Sequence, residues 1–243
     1  MTSRTASLAL VLFFVGTLSF TSRASAQTAG QISLGVNFGI VTNTLKDLNS
    51  LQATADSISD ISTKELGDGL EVSGTFGYRF AGSVWALHLA PSFYWNGQKG
   101  TRTSDGKTFE YKAHAIVAMP MMRVYPLEND VLQLFFQIGV GWAQINGEIN
   151  EADDKTSFHG SNLGYQVGMG INLCYDVHCL NIEGNVRYLE VERSIVDKST
   201  SSGSHADGRI TQSTPGQELE IDGTDLSTNL SGVQILAGYV FKF

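Results

Sequence analysis

LQLFFQIGVGWA, residues 132–143, is the stretch that decides how this chain folds. Leu132, Leu134, Phe136, Ile138, Val140 and Trp142 alternate there with Gln133, Gln137, Gly139, Gly141 and Ala143. A period of two puts the sets on opposite faces of a strand, whereas a helical path would scatter both. One face is bulky and apolar and the other small or polar, so the strand separates two unlike surroundings.

Seven further segments repeat the pattern. The first carries Ile32, Leu34, Val36, Phe38 and Ile40; the second Leu70, Val72, Phe76, Tyr78 and Phe80; the third Trp85, Leu87, Leu89, Phe93 and Trp95. The fourth, Phe109 to about Tyr125, opens with Phe109, Tyr111, Ala113, Ala115, Val117 and Met119 as its apolar set. Its parity fails around Pro120, where an edge irregularity or bulge is expected because proline cannot donate to a ladder. The sixth carries Leu163, Tyr165, Val167, Met169, Ile171 and Leu173, and the seventh Leu180, Ile182, Val186 and Tyr188. The eighth carries Val233, Ile235, Ala237, Tyr239, Phe241 and Phe243.

The connections carry separate information. Long polar stretches follow strands one, three, five and seven: 42–68, 97–107, 146–160 and 194–227. Short ones follow strands two, four and six: 81–83, 126–130 and 175–178. This alternation sets long loops at one end and tight turns at the other, as in bacterial membrane barrels with short periplasmic turns. Residues 44–61 of the first loop have the pattern of a short amphipathic helix.

Orientation follows from the apolar face. Its aromatics fall near strand ends at two heights: Tyr78, Phe80, Trp85, Tyr239, Phe241 and Phe243 near the turns, and Trp95, Phe109, Tyr111, Trp142 and Tyr165 near the loops. Two aromatic belts are what a lipid-facing surface shows, and small inward residues suit the narrow lumen of eight strands. A soluble barrel with the apolar set inside is the alternative. The inward set also holds Glu71, Arg79, His88, Glu110, Lys112, His114, Glu183 and Arg187. Charges of both signs in a lumen must be paired or solvated. An internal ion-pair plug is expected, with an ion or proton path as the functional reading.

The expectation is an all-β, closed, antiparallel, up-and-down eight-stranded transmembrane β-barrel. At the N-terminus Arg4 precedes an apolar run from Ala6 to Phe20, and Ala24-Ser25-Ala26 supplies an A-x-A site. Residues 1–26 therefore read as a cleaved secretory signal peptide and 27–243 as the barrel domain. The net charge of −8, made more negative by losing Arg4 and Arg23, argues against a nucleic-acid partner. No mature segment reaches the apolar length of a membrane helix. Cys174 and Cys179 stand five apart in an exported chain, a spacing that suits either a hairpin disulfide or two free thiols.

With these residues in view, the chain resembles the small outer-membrane β-barrel family of Gram-negative bacteria, the porin-family or outer membrane protein beta-barrel domain. The most specific likeness is the C-terminal Tyr239-Val240-Phe241-Lys242-Phe243; Ala118-Met119-Pro120-Met121 and Gly139-Val140-Gly141-Trp142 resemble the family's middle strands. The resemblance implies residence in the cell outer membrane, contact with outer-membrane lipid, and recognition by the outer-membrane assembly machinery through Tyr239, Phe241 and Phe243. A monomer without a cofactor is expected.

His159-Gly160-Ser161-Asn162 resembles the His-x-Ser-Asn segment of outer-membrane lipid A deacylases. In those enzymes a Glu follows about a dozen residues on; here Leu173 stands near that point, and residues 161–173 contain no acid. His159 and Ser161 are thus catalytic candidates lacking the acid that would orient the imidazole. Glu148, Glu151, Asp153 and Asp154 crowd the third loop and Glu218, Glu220, Asp222 and Asp225 the fourth, without a Ca²⁺-loop ligand run, and read as solvated charge. His178 and His205 have no partner at metal-ligand spacing, so no metal is implied. A non-enzymatic structural or surface-interaction barrel is the leading expectation, ahead of a narrow channel or secretion component and of a lipid A-modifying hydrolase.

Overall fold

The computed structural model describes residues 30–243 apart from 44, 60, 62, 202 and 206–208; the signal-peptide reading of residues 1–26 lies outside the described residues. The strands are β1 (Gln31–Asn43), β2 (Gly69–Arg79), β3 (Trp85–Thr101), β4 (Thr108–Glu128), β5 (Leu132–Glu151), β6 (Asp154–Tyr175), β7 (His178–Tyr188) and β14 (Gly232–Lys242). Each pairs antiparallel with its chain neighbour, β14 joins β1 to β7, and the β5–β6 ladder completes a ring of eight. The eight expected segments are these eight strands.

Within the membrane-crossing zone the faces are as expected. Ile138, Val140, Leu163, Tyr165, Ile235 and Tyr239 lie exposed on the outside, whereas Gln137, Gln166, Asn172 and Gln234 are buried in the lumen. Nine to eleven tilted residues span a bilayer, yet β3 to β6 are 17, 21, 20 and 22 residues long. At a rise of roughly 3.3 Å per residue, β5 is about 66 Å along its path. Its upper half therefore stands above the lipid.

Above that level the chemistry of the two faces reverses. On β5 the outward series runs through Trp142 and then turns polar with Gln144, Asn146 and Glu148, while the inward series turns apolar with Ile145 and Ile149. Strands β4 and β6 do the same, with buried Phe109, Tyr111 and Phe158. Water outside the protruding wall replaces hydrocarbon, so the apolar side moves inward. This corrects the reading of strand four: Phe109, Tyr111, Ala113, Ala115, Val117 and Met119 all face in. Its lipid face is instead Ile116, Ala118, Pro120 and Met122, so both faces are apolar and the alternation has no contrast. Pro120 keeps an unbroken register with Leu89; the irregularity falls between Val124 and Leu127.

The loops are folded. The third "loop" is a continuation of β5 and β6, closed by a two-residue turn at Ala152 and Asp153, with Ala152 at φ 56. The first contains helix α1 (Lys46–Ser59), whose Leu48, Leu51 and Ala55 lie on one buried face with Leu45 just before it. The fourth contains short strands β8 (Glu190–Val191), β9 (Ile195–Ser199), β10 (Ile210–Gln212), β11 (Glu220–Ile221), β12 (Thr224–Asp225) and β13 (Thr228–Asn229). Leu189, Val191, Val196, Ile210, Leu219, Leu226 and Leu230 share one core with the helix and with the inner face of the tall wall. Asp47 on the helix accepts from Ser227 N (3.0 Å), and Arg209 reaches Ser50 and Thr54. The two long loops thus form a cap that closes the loop end of the barrel.

Candidate functional site

The lumen is crossed by a continuous chain of bonds. From β4, Arg123 Nη2 donates to Glu183 Oε2 (2.8 Å) and Nε to Gln137 Oε1 (2.6 Å), its guanidinium lying 4.2 Å over the Phe135 ring. Gln137 Nε2 donates to Asn185 Oδ1, Asn185 Nδ2 to Gln234 Oε1 (2.8 Å), and Gln234 Nε2 to Glu71 Oε1 (2.7 Å). Arg187 Nη1 closes the series on Glu71 Oε2 at 3.0 Å. Both ion pairs are at most 3% exposed. The space left among Glu71, Gln166, Glu183 and Arg187 is about 10 Å³, room for no more than a single water.

Of the expected lumen charges, Glu71, His88, Glu183 and Arg187 are buried inside, and Arg79 pairs with Glu128 (2.5 Å) near the turn end. His88 Nε2 lies 3.4 Å from Tyr125 Oη. Glu110, Lys112 and His114 are not in the lumen. They stand on the outer face of the protruding wall, where Lys112 pairs with Glu110 (3.0 Å) and approaches Glu148 (3.9 Å). Inverted parity on β4 put them on the wrong side, and the same inversion hid Arg123, whose place beside Met121 and Met122 gave no alternation to read.

The outer faces of β3 to β6 carry a polar belt just above Trp95, Ile116, Trp142 and Leu163. His159 and Ser161 lie in it, two residues apart on one face of β6. His159 Nδ1 is 2.6 Å from Asp197 Oδ1 on β9, which pairs with β6 through His159 and Ile195. The acid beside His159 thus comes from a neighbouring strand, a relation that no local spacing could reveal. Over residues 160–164 the β6–β7 ladder lapses; Asn162 Nδ2 bridges the gap to Glu190 O (2.6 Å) and Ser161 is exposed. Ser161 makes no hydrogen bond to His159 among the described residues.

Not all of the loop acids are solvated. Glu151 is fully buried, accepting from Tyr111 Oη (3.0 Å) and held by His205 Nδ1 (2.8 Å), whose Nε2 meets Thr156 Oγ1 at 2.7 Å. This corrects the reading of Glu151 as solvent-facing, and gives His205 hydrogen-bond partners that the sequence did not reveal. Glu218 and Asp225 do sit near the surface, beside Arg193 (3.2 and 3.6 Å). In the exposed turn before β4, Arg102 grips Asp105 with two bonds (2.9 and 2.7 Å). That charge-assisted pair holds the Asp105 carboxyl down at about 2, while Asp153 holds the Lys107 ammonium above its ordinary range.

At the turn end, Cys174 and Cys179 face each other in the β6–β7 ladder, joined by a disulfide. Tyr239 and Phe243 point outward, and Phe241 contacts Phe243 edge-on at 4.7 Å between ring centres.

A ring of eight antiparallel strands with an apolar outer band, a bonded polar lumen and unequal ends defines an integral membrane β-barrel. The family model for the outer membrane protein beta-barrel domain matches residues 7–241, and the chain belongs to that family, whose place is the cell outer membrane. No curated protein matches the sequence significantly. Among solved structures, the outer membrane protein OprG from Pseudomonas aeruginosa is 13% identical, with a TM-score of 0.52 over 90% of this chain and 98% of that one. The attachment invasion locus protein Ail of Yersinia pestis (11%, TM-score 0.42) and Neisserial surface protein A (10%, 0.43) each align over 88% of this chain and 99% of their own. The OprG likeness shows the fold.

Proposed function

We propose that this protein is a non-conducting outer-membrane barrel whose work is to hold a folded cap at the cell surface. One observation carries the reading: the lumen is blocked twice, by the Arg123–Glu183 and Arg187–Glu71 network and, above it, by the apolar core of α1 and the fourth loop. Passing an ion would mean separating charges that are buried and mutually compensated, which costs several kcal/mol per uncompensated group. The cap has no exposed large hydrophobic side chain among its described residues, so its outer face suits a polar partner in water. The experiment is single-channel recording in planar bilayers. A silent bilayer containing heat-modifiable, folded protein is expected, and stable conductance steps would end the proposal.

A second reading rests on Asp197. A carboxylate 2.6 Å from His159 Nδ1, with Ser161 on the same outward face at the height of lipid headgroups, supports hydrolysis of an acyl ester from an outer-leaflet glycolipid. Ser161 Oγ would attack the ester carbonyl and pass its proton to His159 Nε2. The proton then leaves with the alcohol, and water releases the acid. Fatty-acid release from glycolipid vesicles, abolished in Ser161→Ala and reduced in Asp197→Asn, is the result this reading requires; equal background from all three would dismiss it.

A further inference from the structure

Lys242 differs from the other lumen cations. Arg79, Arg123 and Arg187 each have a carboxylate partner within 3.0 Å. Lys242, buried at 7% exposure, has no carboxylate in direct contact among the described residues; Glu128, on the same cavity wall, reaches it only through Gln133. Its ammonium meets the Gln133 side-chain carbonyl and, at 3.4 Å, the sulfur of Cys174, both uncharged. A buried cation without a counter-charge is costly. The molecule leaves space beside it: a cavity of about 330 Å³ opens at the turn end, lined by Glu128, Asn129, Asp130, Gln133, Asp176 and Lys242. That volume is at the lower end of small-molecule sites.

The rim limits what can enter. Asp130 and Asp176 are exposed at the mouth, and the turn holds Asp176 in the left-handed region at φ 55. Glu128 is already engaged by Arg79 and by Gln133 Nε2 (2.6 Å). A multiply charged anion reaching Lys242 would pass these acids at a Coulomb cost. A ligand with one carboxylate and one ammonium meets both demands at once: the carboxylate on Lys242 Nζ, the ammonium towards Asp130 and Asp176. We propose that this periplasm-facing pocket binds zwitterions of the amino-acid class, a free amino acid or a short peptide. The proposal goes beyond the cap-presenting role and does not depend on whether the lumen conducts.

The test uses the exported chain refolded in detergent micelles and titrated with L-alanyl-L-alanine, following amide signals of Asn129, Gln133 and Lys242 by NMR. Saturable shifts in roughly the millimolar range are expected. N-acetyl-L-alanine, which lacks the ammonium, and L-alaninamide, which lacks the carboxylate, should bind several-fold more weakly. Lys242→Met should weaken the dipeptide about tenfold or more, because a hydrogen-bonded charge is lost, while Lys242→Arg should retain it. Asp130→Asn with Asp176→Asn should weaken the dipeptide while strengthening N-acetyl-L-alanine, an anion relieved of two like charges at the mouth. Heat-modifiable gel mobility certifies that each variant is folded. No saturable shift in folded protein up to about 50 mM dipeptide, an equal response to inorganic phosphate, or unchanged binding in Lys242→Met would each overturn the proposal.

Discussion

Glu71→Leu is the sharpest probe of the plugged lumen. Glu71 is 2% exposed and is the carboxylate partner of Arg187, accepting two bonds from Nη1 (3.3 and 3.0 Å) and a third from Gln234. Among the described residues Arg187 has one other acceptor, Leu230 O at 3.4 Å, and its Nη2 has none. Replacing the acid leaves a guanidinium buried without a counter-charge, and breaking such a pair from one side costs about 3–5 kcal/mol. That is roughly a hundredfold to a few thousandfold in the folding equilibrium. Glu71→Leu combined with Arg187→Leu removes both charges, and double replacement of a buried pair by apolar residues is close to neutral. The double variant should therefore recover most of the loss. The assay is urea unfolding in lipid vesicles, followed by tryptophan fluorescence and heat-modifiable mobility and analysed as a double-mutant cycle. A single-variant loss under about 1 kcal/mol, the scale of a solvated ion pair, would mean that water already fills the lumen. The lumen would then be a wet passage and not a closed plug.

Three further outcomes test the rest of the architecture. Ile138→Arg, exposed on the lipid face midway along the Leu132–Trp142 run, should cost about 2–4 kcal/mol, whereas His114→Arg, above the apolar band, should change stability by less than about 0.5 kcal/mol; equal costs would remove the boundary placed between them. Phe158→Ala empties the cap core, where the ring lies so close over Gly147 that even a Cβ there would collide with it; a loss of about 3–5 kcal/mol, read as faster amide exchange in α1 and β9 than in β14, is expected. Asp105 should titrate near pH 2 by NMR. Because its folded value is depressed, the Arg102 clasp is intact above the ordinary carboxylate value of 3.8 and loosens as pH falls through about 2; a midpoint at the ordinary value would show the clasp absent in solution.

The eight strands were legible because a period of two is written residue by residue. Leu132 to Trp142 alone separates a lipid face from a lumen face, and the spacing of long and short connections gave the polarity of the ends. On β4 the period of two carries no such contrast. Periodicity reports contrast between faces, and Ala115, Val117 and Met119 inside oppose Ile116, Ala118 and Met122 outside with no contrast to read. Glu110, Lys112 and His114 were consequently placed in the lumen, and Arg123 was overlooked. Asp197 and His205 were illegible for another reason: each sits in the fourth loop, whose short strands have no periodic signal long enough to place them.

Sequence by itself determined the strand count, the lipid-facing side of seven of the eight segments, and a lumen holding Glu71, His88, Glu183 and Arg187. These depend on neighbours one or two residues away, so local chemistry suffices. Tertiary structure alone decided that Glu71 meets Arg187 across 116 residues of chain, that Asp197 meets His159, that the apolar side turns inward where the wall leaves the membrane, and that Lys242 touches no carboxylate among the described residues. Those facts follow from ring closure, register and the height of each residue against the lipid. They belong to the assembled barrel and to no segment of it.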